Sequence, residues 1–393
     1  MIVFLVALLL NGTLASAAPY SESEIAAVIK SDEAHVRSIR AQEMHQLQLT
    51  LSRRMPQNRR ADLYFRLAEL YLEAYREEFL LEGRAHEKRV AQGAKGTIDR
   101  SRSKPYLKLG VQACEQIIKI GLSFPKMDQV YYFLGVNSNE LGDKKRAGRA
   151  FTLLVKKFPQ SIFAGEAFRE LGENAFAEKN YRDAQNYLGQ AARRTQGNNL
   201  PRILHRLAWS YYRTKQYDRA LATMKDTIAH LAKGGDQLVS LKEEALRDIA
   251  VFFTEAGRVN EALAYFEQVA GDMDFYAKAL ERLGKQYERS KDPKRAGQVY
   301  ETILKTRPED EAAFRVLAKL IETDIKRGKL GDAANRLKGT TRIEKVGEDE
   351  TGIIAANLRA LVRRTATESH EKYRKKGDRP ALQVAEVFYR IYL

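Results

Sequence analysis

A spacing of 34 residues constrains this chain more than any other feature. Pro125 and Pro159 stand 34 residues apart, and so do Ala262 and Ala296. Between 128 and 310 one skeleton returns: an aromatic residue or Leu, then Leu-Gly or Leu-Ala, then Ala, then an aromatic residue or Leu. Self-similarity at such a period marks a helical solenoid. Positions four and seven or eight apart share a helix face, so each copy predicts two amphipathic helices. One such pair cannot bury its own apolar face, so neighbouring pairs must stack.

The clearest copy is 128–161, with Tyr131, Leu134, Gly135, Ala147, Phe151 and Pro159. Copies follow at 165–198 (Phe168, Leu171, Gly172, Ala184, Leu188) and 201–234 (Leu204, Leu207, Ala208, Tyr211, Ala220, Met224). Two more lie at 243–276 (Leu246, Ile249, Ala250, Ala262, Phe266) and 277–310 (Leu280, Leu283, Gly284, Ala296, Tyr300, Pro308). Gly or Ala at 135, 172, 208, 250 and 284 lets the two helices of a copy approach closely. Gly142, Gly257 and Asn180 sit where the first helix must stop, and such residues tolerate the left-handed conformation of a helix end.

These residues resemble the tetratricopeptide pattern, in which a Trp, a Leu-Gly and an aromatic precede an Ala, a Phe and a Pro. Tyr131 stands for the Trp, and Ser138 for the second aromatic. The resemblance covers roughly 61–335 and implies an all-α, right-handed superhelical solenoid of antiparallel helix pairs that binds proteins. It also implies a groove lined by the first helices, at repeat positions 2, 5, 9 and 12. Carried over, the groove side chains are Tyr132, Arg169 and Phe176, then Arg202, His205, Trp209 and Tyr212, then Arg247. Position 9 holds Val136, Glu173, Trp209, Val251 and Lys285, never Asn, which argues against a receptor for chaperone C-terminal tails. Trp209 is the expected partner anchor; the alternative is that it packs against an adjacent helix.

Outside the array the chain is less regular. Residues 1–17 read as a signal peptide: the apolar run 2–10 is too short to span a bilayer, and Ala15-Ser16-Ala17 offers a small-residue cleavage site before Ala18. No Cys follows the run, so a lipid anchor is not supported. Residues 18–60 predict a docking helix, with a stripe of Ile25, Val28, Ile29, Val36, Ile39, Met44 and Leu47, closed by Pro56. Residues 61–127 predict a split repeat: Tyr64, Leu67, Ala68 and Tyr71 match a first helix, but the small residue of the second arrives only at Ala113. The inserted stretch 84–108 carries Arg84, Lys88, Arg89, Lys95, Arg100, Arg102, Lys104 and Lys108 against Glu87 and Asp99. With its Gly and Ser residues it predicts an exposed, mobile basic loop. The array 128–338 is followed, after a polar connector at 339–349, by a repeat-like helix pair to 393. That pair reads as incomplete, because Val384, Val387, Phe388, Ile391 and Tyr392 would leave an apolar face for something to cover.

No catalytic pattern stands out. His35, His45, His86, His205, His230 and His370 are scattered, with no pair at metal-ligand spacing, and phosphate-loop and dinucleotide fingerprints are lacking. The chain is therefore expected to be no enzyme, with no metal and no cofactor. Cys114 lies on a predicted helix and reads as a small buried residue, not as a reactive thiol. A formal charge of +16 favours acidic partners by long-range steering. Nucleic acid is disfavoured, because the aromatics fall mainly at repeat core positions and not on a stacking surface.

The expectation is thus an exported scaffold, periplasmic or outer-membrane-associated, with no transmembrane helix after processing. Lys156-Lys157-Phe158-Pro159-Gln160-Ser161 and Phe388-Tyr389-Arg390-Ile391-Tyr392-Leu393 resemble exported repeat proteins of the outer-membrane-assembly type, and the split repeat and basic insertion resemble periplasmic repeat proteins of gliding-motility machinery. That resemblance implies partners among envelope or motility complex subunits. Acidic envelope polymers are a further partner class for the basic stretch. A second reading is a cytoplasmic regulatory or nucleic-acid-associated binder whose N-terminus has been misread.

Overall fold

A computed structural model describes residues 22–121, 124–234, 238–271, 273–306, 311–338 and 350–392. The expected signal segment, the cleavage site, the connector 339–349 and Leu393 lie outside these residues. Among the described residues the regular structure is all helical, with seventeen α-helices and one 3-10 turn. No helix there is long and apolar enough to cross a membrane. The chain falls into two compact units, Met1–Ala167 and Phe168–Leu393.

The first unit holds α1 (Glu22–Leu51), α2 (Gln57–Ala91), α3 (Lys104–Ile120), α4 (Met127–Glu140) and α5 (Lys144–Lys157). The antiparallel pairs α2/α3 and α4/α5 are its repeats. Their cores follow the repeat pattern: Phe65, Leu67, Ala68, Tyr71, Ala113, Cys114 and Ile117 are buried in one, and Tyr131, Leu134, Ala147, Phe151 and Leu154 in the other. Burial also pushes the Cys114 thiol up to about 12, which suits an inert core residue. Gly135 matters because a Cβ there would stand 2.7 Å from Cδ1 and Cζ of Phe151, and closer still to Cε1. The ring on the second helix fills the space that a side chain at Gly135 would need.

The second unit runs from Phe168, within α6 (Ala164–Ala177), through α7 (Tyr181–Ala192), α8 (Leu200–Arg213) and α9 (Tyr217–Ala232). It continues through α10 (Val239–Ala256), α11 (Val259–Val269), α12 (Met273–Arg289), α13 (Pro293–Thr306), α14 (Glu311–Lys326) and α15 (Leu330–Lys338). The last pair is α16 (Glu350–Lys376) and α17 (Arg379–Tyr392). Phe388, Ala385 and Ala381 of α17 are buried, Phe388 in a core with Ile321, Leu337, Leu358 and Val362. Of the face expected to lie bare, Phe388 is thus packed inward and Val384 and Val387 are half-buried, while the side chains of Ile391 and Tyr392 lie outside those described.

Six of the pairs turn in the same way. A residue at positive φ ends the first helix: Gly142, Lys179, Lys215, Gly257, Lys291 and Gly328. The next N–H then reaches back to a carbonyl five residues earlier, as in Asp143 to Ser138 at 2.9 Å and Asn180 to Ala175 at 2.8 Å. Such a turn satisfies carbonyls that a helix end leaves open. Asn180, expected to be the left-handed residue, instead has φ −81° and its side chain accepts from Asp183 N, so it caps α7. Lys179 takes the left-handed place, at a steric cost that glycine would not bear.

Two segments of the first unit differ from expectation. Of the α1 stripe, Val36 and Ile39 are about half exposed, at 53% and 51%, and Met44 and Leu47 are half-buried, while the side chains of Ile25, Val28 and Ile29 lie outside those described. Charge pairs also tie α1 to α2: Arg37 to Glu77 at 2.8 Å, Arg40 to Glu73 at 3.3 Å and to Glu77, and Arg66 to Glu43 at 2.7 Å. The basic stretch 84–108 is not one loop. Residues up to Ala91 prolong α2, and Lys104 and Lys108 already belong to α3. The connection between them is pinned by the buried Glu82 carboxylate, which accepts from the N–H groups of Arg102 at 2.8 Å and Ser103 at 3.1 Å. Arg100 donates to Tyr75 Oη at 3.1 Å and to Glu140 at 3.3 Å, with its guanidinium over the Phe79 ring. Backbone donors that meet a buried acceptor cannot wander without losing it.

Candidate protein-binding site

The expected anchor, Trp209, lies on α8 and faces α10. Its Nε1–H donates to Asp248 Oδ2 at 2.7 Å, and its ring meets Phe252 edge-on at 5.1 Å. Tyr212 stacks on Phe252 at 4.7 Å and meets Trp209 edge-on at 5.1 Å. His205, one turn before Trp209, is buried with Nε2 2.8 Å from the same Asp248 oxygen. A buried indole N–H needs an acceptor, and Asp248 on the facing helix supplies it. Trp209 is therefore half-buried, packed against the adjacent helix as the alternative reading has it.

The other expected groove residues scatter. Arg202 and Arg247 are exposed. Phe176 meets Tyr181 edge-on at 5.3 Å and carries the Arg206 guanidinium over its face at 4.7 Å, while Arg169 lies against Glu170. In the first unit, Tyr132 stacks on Phe163 at 4.7 Å. Of the basic set, Arg84, Lys88, Arg89, Lys95, Lys104 and Lys108 are exposed. Arg100 is committed to Tyr75 and Glu140, and Arg102 to Glu78 at 2.5 Å.

A cleft of about 670 Å³ opens elsewhere in the second unit, lined by α12, α14 and α16 with Tyr300 of α13. Its floor is apolar, from buried Val316 and Leu358 to half-buried Ala318, Ile354 and Leu361. Its rim carries Lys285, Arg315, Lys319 and Arg364 against Glu281 and Glu322. Burial alone would push the Glu322 carboxyl up, but bonds from Lys326 at 2.9 Å and Lys319 at 3.1 Å outweigh it and hold it below the usual range. Burial likewise works against the Lys319 charge, and the Glu322 bond reverses that, so Lys319 stays a cation. Glu281 takes Lys285 and Arg315 only at 4.0 Å each, loose pairs that a ligand carboxylate can replace.

None of these rim residues was expected to form a site, although the signal was there. Positions 5 and 9 of the fifth copy are Glu281 and Lys285; positions 5, 9 and 12 of the sixth, counted from Glu311, are Arg315, Lys319 and Glu322. The same groove rule, carried two copies further, reaches the cleft.

The helix pairs, their shared turn and the packed Gly or Ala positions now stand beside a family match. A model of the tetratricopeptide repeat matches residues 118–161 and 203–230. Those two stretches carry tetratricopeptide repeats, and the described helices form an all-α repeat solenoid. Such a fold takes proteins as partners. The chain is similar to YrrB, described as a tetratricopeptide protein with an unusual peptide-binding site, at 16% identity over 47% of this chain and 88% of that one, with a TM-score of 0.33. A repeat protein from Parabacteroides merdae is similar at 13% identity over 72% and 100% of the two chains, with a TM-score of 0.35. The C-terminal part of one from Cytophaga hutchinsonii is similar at 14% identity over 70% and 98%, with a TM-score of 0.33. Likenesses this weak carry no inference about partners. Among curated proteins there is no significant match.

Proposed function

We propose that this repeat protein is a non-enzymatic scaffold and that a segment of a partner protein docks in the cleft between α12, α14 and α16. One observation carries the reading. The repeat positions that should face the groove (Glu281, Lys285, Arg315, Lys319 and Glu322) all line a real cleft with an apolar floor. Four cations against two carboxylates on the rim suit a segment that sets apolar residues beside acidic ones, since charge complementarity selects partners and register. The Trp209 cluster then supports the wall of its repeats and does not contact the partner.

The setting we propose is the bacterial envelope, with export directed by the apolar N-terminal run and Ala15-Ser16-Ala17. Subunits of a gliding-motility or outer-membrane complex are the proposed partners, by the resemblance of the split repeat. The exposed Arg84, Lys88, Arg89, Lys95, Lys104 and Lys108 suit a second, acidic polymer ligand.

A photo-crosslinking residue at Ala360, exposed on the α16 side of the cleft, tests the docking site in the native source. It should capture one discrete partner, and Arg315→Glu with Lys319→Glu should weaken that partner's binding at least roughly tenfold. Capture that ignores these two changes would refute the cleft. Mass spectrometry of the native protein should find a first residue of Ala18; an intact Met1 would refute export and favour the cytoplasmic alternative.

A further inference from the structure

His205, Glu244 and Asp248 are distant in sequence pattern but converge behind Trp209. Each offers a donor atom, the His205 imidazole nitrogen and one oxygen from each carboxylate, and the three atoms lie within 4.8 Å of one another. His205 comes from α8. Glu244 and Asp248 come from one face of α10, one turn apart. Asp248 receives both His205 and Trp209 on Oδ2, which leaves Oδ1 without a hydrogen bond among the described residues. Glu244 makes no hydrogen bond or ion pair among them. Two carboxylates at this spacing repel each other. No Lys or Arg pairs with either among the described residues, in a chain that carries a formal +16. Among the described residues their one ion-pair partner is an imidazole, which is uncharged unless it takes up a proton.

We infer that His205, Glu244 and Asp248 form a binding site for a divalent transition-metal ion of the zinc class. An imidazole nitrogen with two carboxylate oxygens is a donor set for zinc, nickel or cobalt, whereas calcium and magnesium prefer oxygen alone. Three protein donors leave a fourth position to water. Tetrahedral bonds of ~2.0–2.1 Å set the donors ~3.4 Å apart, so the 2.8 Å contact between His205 and Asp248 must open slightly. Glu244 must close in, and it is the exposed and unpaired member able to do so. On binding, the ion takes the His205 Nε2 lone pair, so any proton there moves to Nδ1 or to solvent. The Trp209 N–H bond to Asp248 supplies the outer contact that aims a ligating carboxylate. The ion would tie the first helices of two consecutive repeats together and stabilise them by mass action.

Trp209 is the only tryptophan of the chain and touches a ligand directly, so it reports on the site. Untagged, chelator-stripped full-length protein is titrated with Co²⁺, and Trp209 emission is followed. Co²⁺ should quench it saturably at one equivalent, Zn²⁺ should compete and restore emission, and Zn²⁺ should raise the unfolding temperature. Glu244→Gln, a surface change that leaves circular dichroism unaltered, should weaken Co²⁺ binding at least roughly tenfold. His205→Gln should abolish it. Quenching that does not saturate, or that is equal in wild type and Glu244→Gln, would overturn the site and assign the ions to exposed pairs such as His230 and Asp226. Equal competition by Ca²⁺ would overturn the transition-metal assignment.

Discussion

Replacing Gly135 by alanine should destabilise the first unit, although the same change in an ordinary helix interior stabilises. Removing a helical glycine gains roughly 0.5–1 kcal/mol from backbone entropy. At Gly135 the new Cβ meets the Phe151 ring at 2.7 Å or less, and Phe151 is fully buried, so ring or helix must shift. Overpacking of this kind costs about 1–3 kcal/mol. Ala250 bounds the upper end, since in a later repeat it occupies the corresponding place while Phe266 fills the position matching Phe151, both buried. The pair can therefore be accommodated where the helices are spaced for it. Near the middle of that range, the net loss is about 1 kcal/mol. Gly148 is the internal control: it lies on α5 with nothing within 4 Å of a Cβ, so Gly148→Ala should gain roughly 0.5–1 kcal/mol. Urea unfolding of both variants, followed by circular dichroism, measures the two signs. Adding Phe151→Leu to Gly135→Ala should recover part of the clash, seen as favourable coupling in a double-mutant cycle. If Gly135→Ala stabilises as much as Gly148→Ala, the close approach is not what selects glycine.

Trp209→Ala should cost about 2–4 kcal/mol of stability through lost packing on Phe252 and the lost bond to Asp248, as thermal unfolding would register; an unchanged midpoint would mean that the ring is a bystander. Hydrogen exchange should show α1 loosening as the pH falls below the ordinary glutamate value of 4.5. The Arg66 bond holds the Glu43 carboxyl low, and Arg40 and Arg37 outweigh burial to hold Glu77 low, so this stability exists above the unfolded value and is lost as each carboxylate protonates. High salt should loosen α1 as well, because the pairs are partly exposed. Glu82→Ala should speed proteolysis between residues 92 and 103 without changing the helical content, by releasing the N–H groups of Arg102 and Ser103; cleavage at the wild-type rate would show that other contacts hold this segment.

Much of the fold was legible in the sequence because its determinants are local. A helix face repeats within one or two turns, so Tyr131, Leu134, Ala147 and Phe151 announce a packed pair before any tertiary contact is known. Gly142 and Gly257 mark turns for an equally local reason, the left-handed residue that ends the helix. Lys179, Lys215 and Lys291 hide the same turn, since lysine at positive φ has no sequence signature. The site was less legible. The sequence placed Trp209 and His205 on one face of one helix, but only packing across about forty residues brought Asp248 beneath both. The basic stretch showed its charge, yet charge does not reveal that Glu82 and Tyr75 pin part of it. By itself the sequence determined the helical repeat, its period and its small-residue contacts, because these depend on neighbours one turn away. The tertiary structure decided which side chains meet between repeats and where a cleft stays open, because those depend on how helices far apart in the chain pack side by side.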